Sequence, residues 1–223
     1  MNIGALRVLA VQDVAITTSL RHVEIYTMSG LVTLLWHGPD DAERVVICGG
    51  GAMGGLLGPA NGFYQDLGDE LGAQGYGVIR VGYRAPNDLG TCIADMAAAA
   101  MLAERQGASK FVSIGHSFGG AVALGLALEP SPVAASMIGV VALSTQSAGW
   151  EEAAGLNRRP LLLVHGDADT ILPHWSSEVA NELAGGHGQL EIRPGAGHLL
   201  AENGCAVWLR EHVPNWIRAT LGS

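Results

Sequence analysis

A serine, two aspartates and a histidine lie in sequence contexts that could support covalent catalysis. Ser117 lies in the stretch GHSFGG, directly after the apolar run FVSI. Asp167 and Asp169 lie in HGDADTILP, and His198 lies in PGAGHLL. A serine hydroxyl is a weak nucleophile unless a base takes its proton and an acid orients that base. These residue types therefore predict nucleophilic acyl chemistry, provided that the fold brings them together.

Each of these motifs follows a segment with the pattern of a buried β-strand. The segments are KFVSIG (110–115), PLLLVHG (160–166) and QLEIRPG (189–195). Short continuous apolar runs are typical of parallel strands that are covered on both faces. The carboxyl ends of such strands line one ligand crevice. We therefore expect the serine, the aspartates and the histidine at the same edge of a sheet.

The rest of the chain also alternates between strand and helix patterns. A hairpin is predicted from 22–27 and 31–38, with a glycine in its turn. Further strands are predicted at 45–48, 76–83 and 138–144, and helices at 61–74, 91–106, 119–129, 174–184 and 203–220. This order predicts an α/β fold: a mostly parallel twisted sheet with helices on both faces and an N-terminal antiparallel hairpin. We expect residues 1–223 to form a single domain with no inserted cap domain.

Composition narrows the classes of function. The net charge of −9, without any run of Lys or Arg, disfavours binding to nucleic acid and to anionic membrane surfaces. Three cysteines, Cys48, Cys92 and Cys205, lie far apart and have no metal-binding spacing, which predicts reduced thiols and a reducing compartment. No stretch approaches the roughly 20 apolar residues of a membrane span, and the first residues lack the pattern of a signal peptide. The expectation is a cytoplasmic protein without metal or other cofactor.

In its motifs and their order the sequence resembles the α/β-hydrolase family over nearly its whole length. GHSFG matches the G-x-S-x-G nucleophile elbow, HGDADTILP matches the acid loop H-G-x-x-D-x-x-V-P with Leu172 in the Val place, and GAGH matches the base loop. The resemblance implies that Ser117 is the nucleophile, Asp169 the acid and His198 the base. Asp167 is the alternative acid, but it occupies a variable position of the motif, where capping or solvation is expected.

The resemblance also implies an oxyanion hole built from two backbone N–H groups. One belongs to Phe118, directly after the nucleophile. The other belongs to the GGGAM loop that follows the predicted strand 45–48. Many relatives have His-Gly where this loop has Gly49-Gly50, so the register is ambiguous. Gly51 is the first choice for the second donor and Ala52 is the second.

Four other side chains near the motifs could contribute to the site. Met53, His116 and His174 are candidates for lining the substrate pocket. For His116, the variable residue of the elbow, packing beneath the site is the alternative. His165 begins the acid loop and is expected to be a hydrogen-bonded structural histidine. The aspartates and histidines show no spacing for a third metal ligand.

These features together predict a serine hydrolase that cleaves small-molecule carboxylic esters or thioesters through an acyl-enzyme. A serine at the elbow differs from the Asp of the dehalogenase branch and from the Cys of the dienelactone-hydrolase branch. Two alternatives stay open: an acyltransferase that uses the same acyl-enzyme, and a non-catalytic hydrolase-like protein that binds a ligand. Without a cap the cleft is expected to be open, which suits short or medium acyl groups or a bulky substrate presented from outside. The sequence assigns neither the substrate nor the oligomeric state.

Overall fold

Short, mostly apolar segments form the strands of a nine-stranded sheet. The computed structural model describes residues 6–222. The strands are β1 (Val8–Ala15), β2 (Leu20–Thr27), β3 (Gly30–His37), β4 (Arg44–Gly49), β5 (Gly77–Gly82), β6 (Lys110–His116), β7 (Met137–Leu143), β8 (Leu161–Gly166) and β9 (Gln189–Arg193). Their spatial order is β1-β2-β3-β5-β4-β6-β7-β8-β9. The first three strands and the β3–β5 pair are antiparallel, and all pairs from β5 to β9 are parallel.

Helices connect the parallel strands. They are α1 (Pro59–Gly72), α2 (Leu89–Gln106), α3 (Phe118–Leu128), α4 (Pro132–Ala135), α5 (Trp175–Leu183) and α6 (Cys205–Leu221), together with a 3₁₀ helix at Ala153–Leu156. The Asp88 side chain caps α2 by accepting a hydrogen bond of 2.7 Å from the Thr91 N–H. No helix of the described chain is both long and apolar enough to cross a membrane.

The helices cover both faces of the sheet. Successive side chains of a strand point to opposite faces, and in β4 the neighbours Val45 and Val46 accordingly belong to two different apolar cores. The core that contains Val45 is completed by α2 and α3, and the core that contains Val46 by α1 and α6. The predicted fold class, a mostly parallel sheet between two helical layers with an N-terminal antiparallel hairpin, is confirmed.

The structure adds one strand to the predicted hairpin and alters the start of one helix. β1 pairs antiparallel with β2 at the edge of the sheet, and all of its residues are exposed, so it lacks the one-sided apolar pattern by which strands are recognised. In α1, Ala60, Asn61 and Gly62 have positive φ angles, and regular helical geometry begins only after them. Residues 1–5 and 223, which the predicted domain includes, lie outside the described residues.

Candidate active site

Ser117 lies on a strained turn between β6 and α3. Its φ of 57° and ψ of −123° are unfavourable for a residue with a side chain, at a cost of about 1–3 kcal/mol. The Ser117 N–H donates to the Leu143 carbonyl at 2.8 Å, and the Gly120 N–H donates to the Ser117 carbonyl at 2.9 Å. The side chain is half-buried and does not cap α3, the helix that begins at Phe118. The turn therefore presents a serine whose hydroxyl is not used by the helix.

Close backbone contacts around this turn require glycine. A Cβ atom at Gly115 would overlap the carbonyl group of Gly119, and a Cβ atom at Gly119 would overlap the carbonyl oxygen of Gly50. Gly50 belongs to the loop after β4. The glycines of GHSFGG thus let the first turn of α3 lie against β6 on one side and against the loop after β4 on the other.

The carboxylate of Asp169 lies in the loop after β8, and its side chain is fully buried. Its Oδ2 accepts a hydrogen bond from His198 Nδ1 at 2.7 Å. Its Oδ1 accepts from the backbone N–H groups of Ile171 and Leu172, at 2.8 and 2.9 Å. Burial by itself would raise the pKa of Asp169, but the hydrogen bonds from His198, Leu172 and Ile171 bring the pKa below its usual value. Asp169 is therefore an ionised acceptor.

His198 lies in the loop after β9 and is oriented by this carboxylate. Its side chain is 12% exposed, enough for contact with a substrate. Because a carboxylate oxygen can only accept, the Nδ1 atom that bonds to Asp169 must carry a proton. Neutral His198 is thus the tautomer with an unprotonated Nε2, the form that can act as a base. The ring centroids of His198 and His116 lie 4.9 Å apart, so the His198 ring lies next to the elbow.

A second imidazole, that of His165, also bonds to Asp169. His165 Nε2 lies 3.1 Å from Asp169 Oδ2 and 3.0 Å from the Leu172 carbonyl oxygen, and both of these atoms are acceptors. Nε2 therefore carries the proton, and Nδ1 accepts from the Ser177 hydroxyl at 2.7 Å. Burial lowers the pKa of His165, which favours this neutral state. The sequence predicts a hydrogen-bonded His165, and the structure identifies Asp169, Leu172 and Ser177 as its partners.

The loop after β4 brings Gly51 beside the serine. A Cβ atom built on Gly51 would lie 3.7 Å from Ser117 Cβ. The Gly54 N–H donates to the Gly51 carbonyl at 2.9 Å and closes a tight turn that also contains Ala52. Phe118 lies in the first turn of α3, where N–H groups have no acceptor within the helix. Both predicted oxyanion segments therefore lie next to Ser117.

The strand ends that carry these loops are aligned. Gly49 of β4 pairs with Gly115 of β6, and Gly166 of β8 pairs with Arg193 of β9. The elbow, the acid loop, the base loop and the loop after β4 thus leave the sheet at one edge, as the parallel pattern predicts.

Known structures of similar shape are hydrolases. A dienelactone hydrolase from Anabaena variabilis has a TM-score of 0.75 to this chain, at 18% identity over 95% of this chain and 99% of its own. An α/β serine hydrolase without a lid from Xanthomonas campestris has a TM-score of 0.71, at 16% identity over 94% and 99% of the two chains. A Pyrococcus furiosus esterase has a TM-score of 0.69, at 16% identity over 91% of both chains.

The chain has the α/β-hydrolase fold. At identities of 18% or lower, the likeness to these three proteins establishes the fold alone. No protein-family model matches the sequence, and no curated protein matches it.

Within this α/β-hydrolase fold, Asp167 has a different neighbour from Asp169. Its Oδ1 accepts a hydrogen bond of 2.6 Å from the Gly195 N–H, at the start of the base loop. Asp167 is exposed, whereas the Asp169 side chain is fully buried. The carboxylate next to His198 is that of Asp169, and Asp167 instead connects the acid loop to the base loop.

The three candidates for lining the pocket lie in different environments. Met53 is 94% exposed at the tip of the loop after β4. His174 is 41% exposed and lies 3.7 Å from Glu178. His116 is only 7% exposed, and its Nε2 lies 2.9 Å from the His198 carbonyl oxygen, so its ring is packed between the elbow and the base loop. Burial lowers the pKa of His116 to about 4, so the ring is neutral at physiological pH.

Four more exposed apolar side chains lie in the loops after β4, β8 and β9 or at the start of α5, which follows the acid loop. They are Leu57, Ile171, Trp175 and Leu199, each between 53% and 68% exposed. Backbone hydrogen bonds join the loops that carry them: the Ala60 N–H donates to the Leu199 carbonyl at 2.7 Å, and the Ala168 N–H donates to the Ala196 carbonyl at 3.0 Å. With Met53, these four side chains form what we call the apolar rim.

Proposed function

We propose that the chain is a serine hydrolase that cleaves carboxylic esters or thioesters, with Ser117 as nucleophile, His198 as base and Asp169 as acid. The observation that carries the proposal is the 2.7 Å hydrogen bond from His198 Nδ1 to the buried carboxylate of Asp169, formed next to the elbow that holds Ser117 on a strained turn. This bond selects the histidine tautomer that can take a proton from a hydroxyl. The α/β-hydrolase fold adds support, because all three similar structures described above are named as hydrolases.

The reaction proceeds in two halves. Ser117 Oγ attacks the carbonyl carbon while His198 Nε2 takes its proton. The Phe118 N–H and an N–H of the loop after β4, at Gly51 or Ala52, stabilise the oxyanion. As the tetrahedral intermediate collapses, the alcohol or thiol leaves with the proton from His198 and an acyl-Ser117 ester remains. Water, deprotonated by His198, then attacks this ester, the acid is released and Ser117 regains its proton.

The surroundings of the site support a neutral, apolar substrate. The apolar rim places four large apolar side chains on the loops that carry the acid, the base and the proposed oxyanion donor, and a fifth, Trp175, at the start of α5. The net charge of −9 disfavours anionic substrates.

We further propose that the chain is a single domain without an inserted cap, so that the cleft is open. The three cysteines are all buried and free of disulfides, which supports the proposal of a cytoplasmic location.

Turnover of p-nitrophenyl esters tests the proposal. We expect the wild type to hydrolyse them and the Ser117→Ala variant to lose about 10⁶-fold in kcat, or to fall to the detection limit. Ser109→Ala is the matched control, because Ser109 is exposed at the opposite end of β6 and should not affect turnover. Butyryl and hemisuccinyl esters of similar length test the apolar preference, and the butyryl ester should be the better substrate.

Two results would overturn the proposal. One is an inactive wild type that a fluorophosphonate does not label. The other is labelling that persists in Ser117→Ala, which would place the nucleophile elsewhere. Adding an alcohol or amine acceptor separates hydrolysis from transfer, because an acyltransferase would convert most of the acyl-enzyme to the acceptor ester or amide.

A further inference from the structure

We propose that His116, the residue directly before the nucleophile, is a positioning residue that holds the base loop and the loop after β4 in place around Ser117. The inference rests on the proposed function, since it assigns a role within the same site. The geometry of one buried ring carries it.

The first contact of His116 is with the base itself. His116 Nε2 lies 2.9 Å from the backbone carbonyl oxygen of His198. A carbonyl oxygen only accepts hydrogen bonds, so His116 Nε2 must carry the proton and donate it. The donor comes from the elbow and the acceptor from the base residue, 82 positions later in the chain. This single bond therefore sets the backbone position of the base relative to the nucleophile.

The second contact of His116 is with the loop that carries the proposed oxyanion donor. A Cβ atom built on Gly51 would lie 3.7 Å from His116 Nδ1, at ordinary van der Waals distance. With Nε2 protonated, neutral His116 presents an unprotonated Nδ1 on this side. The ring thus lies between the base loop, to which it donates a hydrogen bond, and Gly51, from which it is separated by little more than the space of a methyl group.

The third contact of His116 is ring against ring. The centroids of His116 and His198 lie 4.9 Å apart, and the ring planes are tilted by 52°. Asp169 determines the tautomer of His198 and bonds to its Nδ1, whereas His116 supports its backbone and one side of its ring. The two contacts constrain different parts of the same residue. A displacement of the base by about 1 Å can cost about 10²-fold in rate, so the second constraint matters for catalysis.

Two substitutions separate positioning from packing. His116→Leu fills a similar volume but removes the donor, whereas His116→Gln keeps an N–H close to the position of Nε2. For His116→Leu we expect kcat to fall by about 10- to 10²-fold and KM to change by less than about twofold, because the substrate contacts are retained. His116→Gln should restore kcat to within about fivefold of the wild type, the level expected when the hydrogen bond is re-formed.

A buried histidine outside the site is the matched control. His37 is 1% exposed and lies 3.1 Å from Asp69, on β3 and away from the catalytic loops. His37→Leu should lower the melting temperature and leave kcat unchanged. Melting temperatures and the rate of fluorophosphonate labelling are measured for all variants alongside kcat and KM.

The outcomes are separable. If the wild type neither hydrolyses esters nor is labelled by the fluorophosphonate, the proposed function is wrong, and the positioning role of His116 is wrong as well. If the wild type is active and His116→Leu keeps its kcat and labelling rate, the positioning role alone is wrong. A third result would also overturn the positioning role: equal losses of kcat in His116→Leu and His116→Gln, each in proportion to a lowered melting temperature. Such losses would indicate a purely structural defect. Loss in the leucine variant with rescue by glutamine supports the proposal.

Discussion

Four hydrogen bonds converge on the carboxylate of Asp169. Two come from imidazoles, those of His198 and His165, and two come from the backbone N–H groups of Ile171 and Leu172. A buried carboxylate that accepts several hydrogen bonds stays ionised and has a fixed orientation. The consequence is a carboxylate that cannot turn away from His198, because each of its oxygens has its own hydrogen-bond partners.

Replacement of each aspartate by asparagine tests this assignment at the residue scale. In Asp169→Asn the amide can donate to His198 Nδ1 and favour the wrong tautomer, so kcat should fall by about 10⁴-fold. In Asp167→Asn the amide oxygen can still accept from the Gly195 N–H, so kcat should stay within about threefold of the wild type. Steady-state kinetics on one ester measures both. A larger loss in Asp167→Asn would reverse the choice of acid.

At the scale of elements, the site depends on a close approach between three segments. The end of β6, the start of α3 and the loop after β4 meet where a side chain on Gly115 or Gly119 would overlap a backbone carbonyl group. Backbone cannot move as readily as the end of a side chain. The elbow, and with it the position of Ser117, is therefore fixed by the absence of side chains at its neighbours.

Alanine substitutions at two glycines test this packing. Gly115→Ala should destabilise the fold strongly, because the new Cβ overlaps the carbonyl of Gly119 in a buried strand end. Gly51→Ala should keep the wild-type melting temperature, because its Cβ would meet only atoms at 3.7 Å and the backbone N–H is retained. Thermal unfolding of both variants gives the measurement. A stable Gly115→Ala protein with normal turnover would contradict the packing argument.

At the scale of the whole molecule, buried histidines link stability to pH. The pKa values of His37, His116 and His165 are all lowered, first of all by burial, and that of His116 reaches about 4. In the unfolded chain a histidine titrates near pH 6.5. Below that pH these histidines bind protons in the unfolded chain but stay neutral in the folded chain. The free energy of unfolding therefore decreases as the pH falls.

Chemical denaturation between pH 7 and pH 4 measures this effect. We expect the free energy of unfolding to fall across that window, with a contribution on the order of 3 kcal/mol from His116, whose pKa drops from 6.5 to about 4. In His116→Gln the slope should be shallower, because glutamine does not titrate. The lowered pKa of Asp169 decreases the free energy of unfolding further only below about pH 3.8, the pKa of this aspartate in the unfolded chain. An identical slope in the variant would show that His116 does not titrate as stated.

Much of the fold could be predicted from the sequence, because continuous apolar runs followed by glycines identify buried parallel strands. The eight predicted strands all occur, and the carboxyl ends of the parallel strands meet at one edge. The contacts that depend on tertiary packing could not be predicted. The sequence around His37 predicts an exposed side chain, yet His37 is 1% exposed, since α1 packs against β3. β1 was missed because an edge strand with two exposed faces has no apolar side to recognise it by.

For the candidate site, too, some features could be predicted from the sequence and others could not. The motifs predict which residue types lie at the sheet edge, and the structure brings Asp169, His198 and the elbow together there. The hydrogen bonds from His165 to Asp169 and from His116 to the His198 carbonyl depend on the course of the loops, which no spacing in the sequence specifies. Within the apolar rim, Met53 is predicted to line the pocket, whereas Leu57, Ile171 and Leu199 give no signal in the sequence, because single apolar residues in loops have no periodicity.

The spacing between the elbow and the base also has a consequence during protein synthesis. On the proposed function, a ribosome completes the elbow before the base, because His198 lies 82 positions after His116, and it completes the acid Asp169 29 positions before His198. Domains generally fold as units during synthesis, and here the acid becomes a working partner only when the last strand, β9, has joined β8. On the proposed function, the serine of the nascent chain has no base until His198 has been added and β9 has paired with β8, so esterase competence is acquired late in folding.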